Sequence, residues 1–371
     1  MVRTERALEM LGVNLFASIY DGKRVLVTGH SGFKGSWLSL WLTELGAEVT
    51  GISLLPETQY NHWGLLNLDI DDFWCDIKDA VLVEQIIKNI QPEIVFHLAA
   101  QPLVRRSYRD PLETWSTNVM GTANVLEACR HTSSVQAIVA ITTDKCYENY
   151  ELSRGYREND RLGGYDPYSA SKAGSELVAS SYRRAFLDAE AGALLATARA
   201  GNVIGGGDWS EDRLIPDLIR AISEQKSLEI RSPNATRPWQ HVLDSLSGYL
   251  VLGQKLLMGY QDVAGPWNFG PEPEDNRTVS EVLKKLNKDW TVIRWHETGT
   301  PQPHEASLLY LDSDKAHRKL NWQPVWNIDS TIEKTADWYK QWLQTGHVIS
   351  RQQLADYVAD ASYANIEWAN S

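Results

Sequence analysis

The sequence predicts an α/β protein: a doubly wound parallel sheet with a smaller C-terminal α/β domain. Three observations carry this expectation. Short apolar runs alternate with longer helix-periodic stretches through the first half of the chain, and such alternation builds βαβ units whose crossovers cover both faces of a parallel sheet. Three glycines, Gly29, Gly32 and Gly35, stand between the first apolar run and the first helical stretch. The pattern then changes after about residue 204, where Gly205, Gly206 and Gly207 mark a loop and short mixed elements follow. A chain of 371 residues exceeds one small core and suits two intimately joined domains.

Each element follows from its own pattern. "KRVLVTG" (23–29) reads as a buried strand, "GSWLSLWLTELG" (35–46) as a helix closed by Gly46, and "AEVTGISL" (47–54) as a second strand. "AVLVEQIIKNI" (80–90) is helix-periodic and "PEIVFHLAA" (92–100) is a strand. Residues 111–131 predict one long helix, "SVQAIVAITT" (134–143) a strand, 166–188 a second long helix, and "ALLATARAGNV" (193–203) another strand. "GPWNFG" (265–270) predicts one more short strand of the same sheet. The first domain is therefore expected over 20–203 plus that strand, and the second over 204–264 and 271–345, interleaved with the first. The tail, 346–371, is weakly patterned and either packs as a helix or frays. No internal repeat or low-complexity segment is visible.

Composition narrows the class. With 43% hydrophobic and 23% charged residues the chain is globular. A net charge of −12 disfavours sequence-independent nucleic-acid binding, which needs clustered Lys and Arg. Of the fifteen Trp, Trp37, Trp41 and Trp115 fall at expected core positions. Cys75, Cys129 and Cys146 form no CxxC pair and are odd in number, which points to a reducing cytoplasm without disulfides. No apolar run has the length of a membrane span, and "MVRTERALEM" is too charged for a signal peptide. No His/Cys/Asp/Glu cluster has metal-ligand spacing, so no metal is expected.

The glycine turn "VTGHSGFKG" allows a tight turn, close approach of a pyrophosphate to the backbone, and a helix N-terminus facing the anion. Its spacing is G-x-x-G-x-x-G rather than G-x-G-x-x-G. At the end of the second strand, NAD enzymes tend to carry an acid and NADP enzymes a nearby Arg. Here Ser53 stands there with no cation after it, which favours NAD; Lys34 in the glycine turn leaves NADP open. Asp76 in "WCDIKD" either reaches the adenine or caps the helix that follows. "FHLAAQ" ends a strand with residues small enough for a flat cofactor to lie against, and its His97 reads as structural.

Two further features carry chemistry. Tyr168 and Lys172 in "YSASK" lie four apart and share a helix face. An ammonium beside a phenol favours phenolate, which makes the tyrosine a usable base. In "AITTDKCYEN" an apolar strand ends in Thr143 and then a carboxylic acid, Asp144, next to an amine, Lys145.

Gly29-x-x-Gly32-x-x-Gly35, Asn118 in "TNVMGT", Thr143 and Tyr168-x-x-x-Lys172 together resemble the extended short-chain dehydrogenase/reductase superfamily, over roughly residues 20–345. "ARAGNVIGGGDW" (198–209), "RLIPD" (213–217) and "RPWQHVLD" (237–244) resemble its nucleotide-sugar-binding segments. "VTGHSGFKGSWL", "TTDKCYEN" and "TRPWQHV" are similar to its nucleotide-hexose 4,6-dehydratases. Lys145, where dehydratases of the dTDP-glucose type carry Glu, favours the branch acting on a cytidine diphosphate hexose.

The resemblance implies a Rossmann-type NAD-binding domain, a smaller sugar-nucleotide domain, and subunits paired through the two long helices as a homodimer or dimer of dimers. It implies cofactor contacts from Gly29, Gly32, Phe33, Gly35, Ser53, Asp76, Ile77, Leu98, Ala99, Ala100, Asn118, Tyr168 and Lys172. Asn202, Arg213, Arg237 and His304 are the implied substrate contacts; an Arg grips a diphosphate with two donors. Trp239 and His241 suit a core equally well. The expected reaction is hydro-lyase chemistry with internal hydride transfer from C4 to C6. Tyr168 takes the C4 hydroxyl proton, Thr143 hydrogen-bonds that oxygen, Lys145 removes the C5 proton and Asp144 protonates the departing C6 hydroxyl. Asp144 then has to hold a proton and Lys145 to lack one, which a desolvated site favours. The competing readings are a sugar-nucleotide 4-epimerase, a dehydratase for another nucleotide, and a non-catalytic dinucleotide-sensing scaffold.

Overall fold

A computed structural model describes residues 14–187, 192–290, 293–298 and 308–370. In chain order its strands are β1 (Arg24–Thr28), β2 (Glu48–Ser53), β3 (Asp71–Trp74), β4 (Ile94–His97), β5 (Ala137–Ile141), β6 (Leu194–Ala200), β7 (Asn202–Ile204), β8 (Leu228–Ile230), β9 (Thr236–His241), β10 (Pro266–Phe269), β11 (Asn276–Thr278) and β12 (Trp295–Glu297).

Seven strands make one sheet in the order β10-β6-β5-β4-β1-β2-β3, and every neighbouring pair is parallel. Parallel strands need crossovers, and helices cover both faces. Hence β5 and β6 are buried at every residue; β5 reads as an unbroken apolar run, and β6 does so except at Thr197 and Arg199. Along β1, Val25 and Val27 enter the core on one face while Leu26 enters the core on the other, as a period of two requires. The strand order reverses between β1 and β4, and a crevice opens there at the carboxyl ends of the strands. The sequence reading did not anticipate β3. Its residues, Asp-Asp-Phe-Trp, are partly exposed at the sheet edge and carry no buried-strand pattern.

Several boundaries move for physical reasons. The first helix runs Phe33–Glu44, two residues earlier than expected, because Gly32 in extended backbone serves as its N-cap; Trp37 and Trp41 are fully buried. The long helix expected over 111–131 consists of Pro111–Trp115, a π-helical turn Ser116–Met120, and Gly121–Arg130. Trp115 is not a core residue: it is 41% exposed and lies against the neighbouring helix Pro167–Ala185 where Gly174 leaves no room for a side chain. The strand expected over 193–203 is broken at Gly201, so β6 stays in the main sheet while β7 pairs with β9 in a second sheet, β11-β9-β7.

Helix Val242–Leu257 falls inside the stretch expected to be the second domain. It packs on β5 and β6, and all but two of its sixteen residues are buried, so it serves the main sheet. The tail does not fray. Helix Ser350–Tyr363 buries Leu354, Tyr357 and Val358 completely, and Trp368 stacks on Phe16 at a ring separation of 4.9 Å. His62 bridges Ser36 (2.8 Å) and Ser350 (2.7 Å), tying this tail to the first turns of helix Phe33–Glu44.

Candidate active site

The crevice is a cavity of about 1360 Å³. That exceeds the roughly 300–1,000 Å³ of a single small-ligand site and leaves space for a dinucleotide and a second nucleotide together.

On one side lies the glycine turn. Gly29 has φ +76°, and a Cβ there would sit 2.7 Å from the Ala99 nitrogen; a Cβ on Gly35 would sit 2.0 Å from the Gly29 carbonyl oxygen. The turn is thus closed to side chains. The N-cap of the following helix is a glycine, with no side chain to satisfy the first-turn N–H groups. An uncapped helix N-terminus behind a bare glycine turn fits a dinucleotide pyrophosphate. The expected contacts Gly29, Gly32, Phe33, Gly35, Ser53, Asp76, Ile77, Leu98, Ala99 and Ala100 all line the cavity. Asp76 is not a helix cap: Asp79 caps Ala80–Ile90, and Asp76 accepts from the Lys78 backbone N–H instead.

Three residues here depart from expectation. The Ser53 hydroxyl pairs with that of Ser31 at 2.7 Å, so a neutral hydroxyl pair occupies the ribose end. Lys34 does not point toward that end. Its ammonium donates to the Tyr249 hydroxyl at 3.2 Å. Burial, helped by Arg213, pushes it down to about 7, with Asp144 opposing. Asn118 does not line the cavity. Its amide is consumed in bracing, accepting from the Gln101 N–H (2.8 Å) and donating to the Gln101 carbonyl (3.1 Å) and the Ser171 hydroxyl (2.8 Å). The π-turn that carries it puts the amide between the β4 loop and helix Pro167–Ala185, which spacing could not reveal. His97 is structural as expected, held between Thr28 (2.7 Å) and Thr122 (3.0 Å).

At the centre the end of β5 faces helix Pro167–Ala185. Thr143, Asp144, Lys145, Tyr168 and Lys172 all line the cavity. The Thr143 hydroxyl lies beside the Tyr168 phenol and favours its ionised form, and Thr143 donates to Asp144 Oδ1 at 2.9 Å. Asp144 is 1% exposed; its Oδ2 has no partner and faces Gly201, where a Cβ would come within 3.2 Å of it. A side chain at 201 would crowd that buried, unpartnered oxygen. Lys145 Nζ is 3.6 Å from Asp144 Oδ1, with 30% of its side chain exposed. The desolvated surroundings expected for Lys145 are therefore absent from the open cavity and require a ligand to complete them.

The tyrosine–lysine pair also differs from expectation. Burial pushes the Tyr168 phenol up to about 12, with the Thr143 hydrogen bond and the Arg213 charge opposing. Lys172 donates to the Ile141 carbonyl at 3.2 Å, and burial pushes it down to about 8. Four-residue spacing placed both groups on one face, but burial, not a charge interaction between them, sets both shifts.

On the far side, Asn202, Arg213 and Arg237 line the cavity. Arg213 lies 3.4 Å from Asp208, and Arg237 donates to the Thr236 carbonyl. Arg105 and Arg231, neither anticipated, converge on Asp212 at 3.3 and 2.6 Å. The only sequence signal for them was a basic residue beside an apolar run. Trp239 and His241 are buried, and Trp239 also reaches the cavity wall. His304 lies outside the described residues. Among the described residues no group of three His, Cys, Asp or Glu is placed to hold a metal, and no helix is long and apolar enough to cross a membrane.

Comparison with known proteins agrees with this geometry. The model of the GDP-mannose 4,6 dehydratase family matches residues 26–335. The chain is 46% identical over 351 residues to CDP-glucose 4,6-dehydratase of Salmonella typhimurium, covering 92% of this chain and 98% of that one. It is 24% identical to the human dTDP-D-glucose 4,6-dehydratase, covering 86% and 90%. Among solved structures, a dTDP-glucose 4,6-dehydratase of Streptomyces venezuelae with NAD bound superposes with a TM-score of 0.73 at 25% identity, over 85% of this chain and 97% of that one. A glycine turn lies at the switch point, a β5 end carries Thr-Asp-Lys and a Tyr-x-x-x-Lys helix faces it, and the chain belongs to the GDP-mannose 4,6 dehydratase family of extended short-chain dehydrogenases/reductases.

Proposed function

We propose that this protein catalyses the NAD-dependent dehydration of CDP-D-glucose to CDP-4-dehydro-6-deoxy-D-glucose and water. The observation that carries the reading is the run Thr143–Asp144–Lys145, presented by one strand end to Tyr168 within a single cavity. The 46% identity to the Salmonella enzyme supports cytidine as the base. Residues 20–203 with β10 form the cofactor portion, and 204–264 with 271–345 the sugar-nucleotide portion; helix Val242–Leu257 belongs structurally with the former.

NAD, held at the glycine turn Gly29–Gly35, would supply the hydride acceptor for C4 and the hydride donor for C6. The chain supplies the proton handling and the positioning. Tyr168 Oη, as phenolate, receives the C4 hydroxyl proton while the Thr143 hydroxyl holds the same oxygen. The C4 ketone acidifies C5, and Lys145 Nζ takes the C5 proton. Asp144 delivers a proton to the C6 hydroxyl as it leaves; its Oδ2, buried beside Gly201 without a hydrogen-bond partner, is the position left for this. C5 is then reprotonated. Arg213 and Arg237 hold the diphosphate and Asn202 the sugar or its phosphate. His304 completes the expected substrate set. Asn118 acts by bracing the cofactor loop rather than by touching the cofactor.

The Ser31–Ser53 pair puts neutral hydroxyls at the ribose end and Lys34 turns away from it, which favours NAD over NADP. Assembly as a homodimer is supported by apolar side chains along the two long helical stretches: Leu112, Met120 and Leu177 are 80%, 56% and 62% exposed. A chain of this class works in the cytoplasm, in keeping with three buried free cysteines.

The test is incubation of the protein and NAD with CDP-, dTDP-, GDP- and UDP-hexoses. A 4-keto product, detected by its absorbance in strong base, is expected with CDP-glucose. In deuterated water the product carries deuterium at C5. An epimer without base-absorbing product would replace this reading with 4-epimerisation. Stoichiometric NADH accumulating with product would contradict the internal redox cycle. Turnover supported by NADP at lower concentration than NAD would overturn the cofactor assignment.

A further inference from the structure

Glu176 lies one helical turn beyond Lys172 and two beyond Tyr168, on the same face of helix Pro167–Ala185. It is 4% exposed, and its carboxylate accepts two hydrogen bonds on each oxygen. Oε1 receives Thr142 Oγ1 (2.5 Å) and Arg199 Nε (2.8 Å); Oε2 receives Thr197 Oγ1 (2.8 Å) and Arg199 Nη2 (2.7 Å). The third arm of Arg199, itself 2% exposed, donates to the Tyr147 hydroxyl (2.7 Å), and its guanidinium lies 4.9 Å from the centre of that ring. Tyr147 is fixed in turn by donating to Asn268 Oδ1 (2.8 Å) and by stacking on Tyr156.

Two connections matter. Thr142 and Tyr147 bracket the segment that holds Thr143, Asp144 and Lys145, and both ends of that segment are tied to this one ion pair. The carboxylate also faces Lys172, whose charge it favours against burial. Burying an ion pair costs several kcal/mol per ion in general, and replacing such a pair with apolar residues is often neutral or stabilising. A fully satisfied pair between the two halves of the catalytic machinery is therefore poorly explained as a source of stability.

We propose that Glu176, with Arg199, is a positioning residue for the dehydration: it holds the acid–base segment 143–146 in register with the Tyr168–Lys172 face and supplies the negative charge that keeps the Lys172 ammonium protonated. This rests on the dehydratase reading above. Failure of that reading would show as no 4-keto product from the unmodified protein. Failure of this proposal would show in variants of a protein that does turn over.

The experiment follows C4 oxidation as bound NADH in single turnovers, and kcat and KM for CDP-glucose, across pH, in Glu176→Gln, Glu176→Asp and Thr142→Val. Lys172 must be protonated to act, and Glu176 favours that state. Removing the charge therefore moves the high-pH limb of the rate profile toward lower pH, by about one unit. Loss of register lowers kcat on the order of 10²-fold. KM and NAD affinity stay near their unmodified values, because Glu176 touches neither ligand. Glu176→Asp keeps the charge and so keeps the limb in place while lowering kcat. Thr142→Val leaves Arg199 paired and lowers kcat without moving the limb. A Glu176→Gln protein with an unmoved limb would overturn the proposal, whether its rate is normal or uniformly reduced. If Glu176→Gln does not fold, the other two decide: normal kcat in both Glu176→Asp and Thr142→Val would overturn it, and reduced kcat with an unmoved limb in both would support it.

Discussion

The two walls of the cavity are built from different interactions. The wall formed by the end of β5 and helix Pro167–Ala185 is dry except at Lys145, whose side chain is partly exposed. Asp144, Tyr168, Lys172, Glu176 and Arg199 are all at most 8% exposed, and their hydrogen bonds run to other buried groups. The opposite rim, from helix Val104–Arg109 to the loop that precedes helix Leu214–Ser223, is held by ion pairs in contact with water. Arg109 meets Glu211 at 2.7 Å with both side chains more than half exposed, and Arg106 meets Glu57 at 2.8 Å. Exposed pairs are worth about 0–1 kcal/mol each and are screened by salt. The dry wall is therefore held at low dielectric, while the pairs of the rim can break at little cost.

Breaking the dry wall should have the largest consequences. Tyr168→Phe deletes one hydroxyl and should abolish turnover while leaving the fold and NAD binding intact; near-normal product formation would sink the base assignment. Lys145→Ala should permit C4 oxidation, seen as bound NADH, and slow elimination by on the order of 10²–10⁴-fold. Asp144→Asn should retain deuterium exchange at C5 and lose water expulsion, since an amide has no acidic proton to give. If Lys145→Ala exchanges C5 and turns over normally, the amine is a bystander and the base lies elsewhere in the cavity.

Stability against acid is a smaller and cumulative effect of the same burial. His62, His97 and His241 are each pushed down to about 3, by burial foremost. The folded protein keeps them neutral, whereas the unfolded chain takes up their protons near the ordinary value of about 6.5. The stability they contribute is thus complete above pH 6.5 and is lost as pH falls from there toward 3. Each imidazole costs about 1.4 kcal/mol per pH unit in that window. Melting temperatures between pH 7 and pH 5 should fall steeply, and His62→Asn or His241→Asn should flatten the slope. An unchanged slope in both would place the acid sensitivity elsewhere.

The rim should give the smallest effects. Arg109→Ala and Arg106→Ala should each change unfolding free energy by less than about 1 kcal/mol and leave kcat unchanged. KM for the nucleotide sugar should become less sensitive to added salt. A loss of kcat in either variant would mean that the rim, like the opposite wall, is part of the rigid machinery.

The rim was also the region least legible in advance. Arg105, Asp212 and Arg231 come from three separate segments, and each alone reads as a surface charge. Lys34 was visible as a cation in the glycine turn, but its direction was not. A flexible four-carbon stem can serve either the ribose end or the catalytic end, and only the position of Tyr249 decides between them. Asn118 was recognised by pattern, and the π-turn that aims it at Gln101 and Ser171 has no sequence signature. Trp115 followed a helical period that the same π-turn interrupts.

The sequence by itself determined the alternation of β1, β2, β4, β5 and β6 with their crossover helices, though not β3, and with them the bare glycine turn, the Thr-Asp-Lys strand end and the shared face of Tyr168 and Lys172. All of these are local. Backbone geometry sets which residues share a helix face or follow a strand, so spacing alone reveals them. Only the tertiary structure decided that β5 ends opposite Tyr168, that Gly201 packs against the unpartnered Asp144 Oδ2, that Glu176 meets Arg199, and that the tail locks through His62 onto the first helix. Those contacts join residues 23 to 288 positions apart, or lie where two elements cross. They depend on crossover order and close packing, and on the solvent that burial removes, none of which a local pattern encodes.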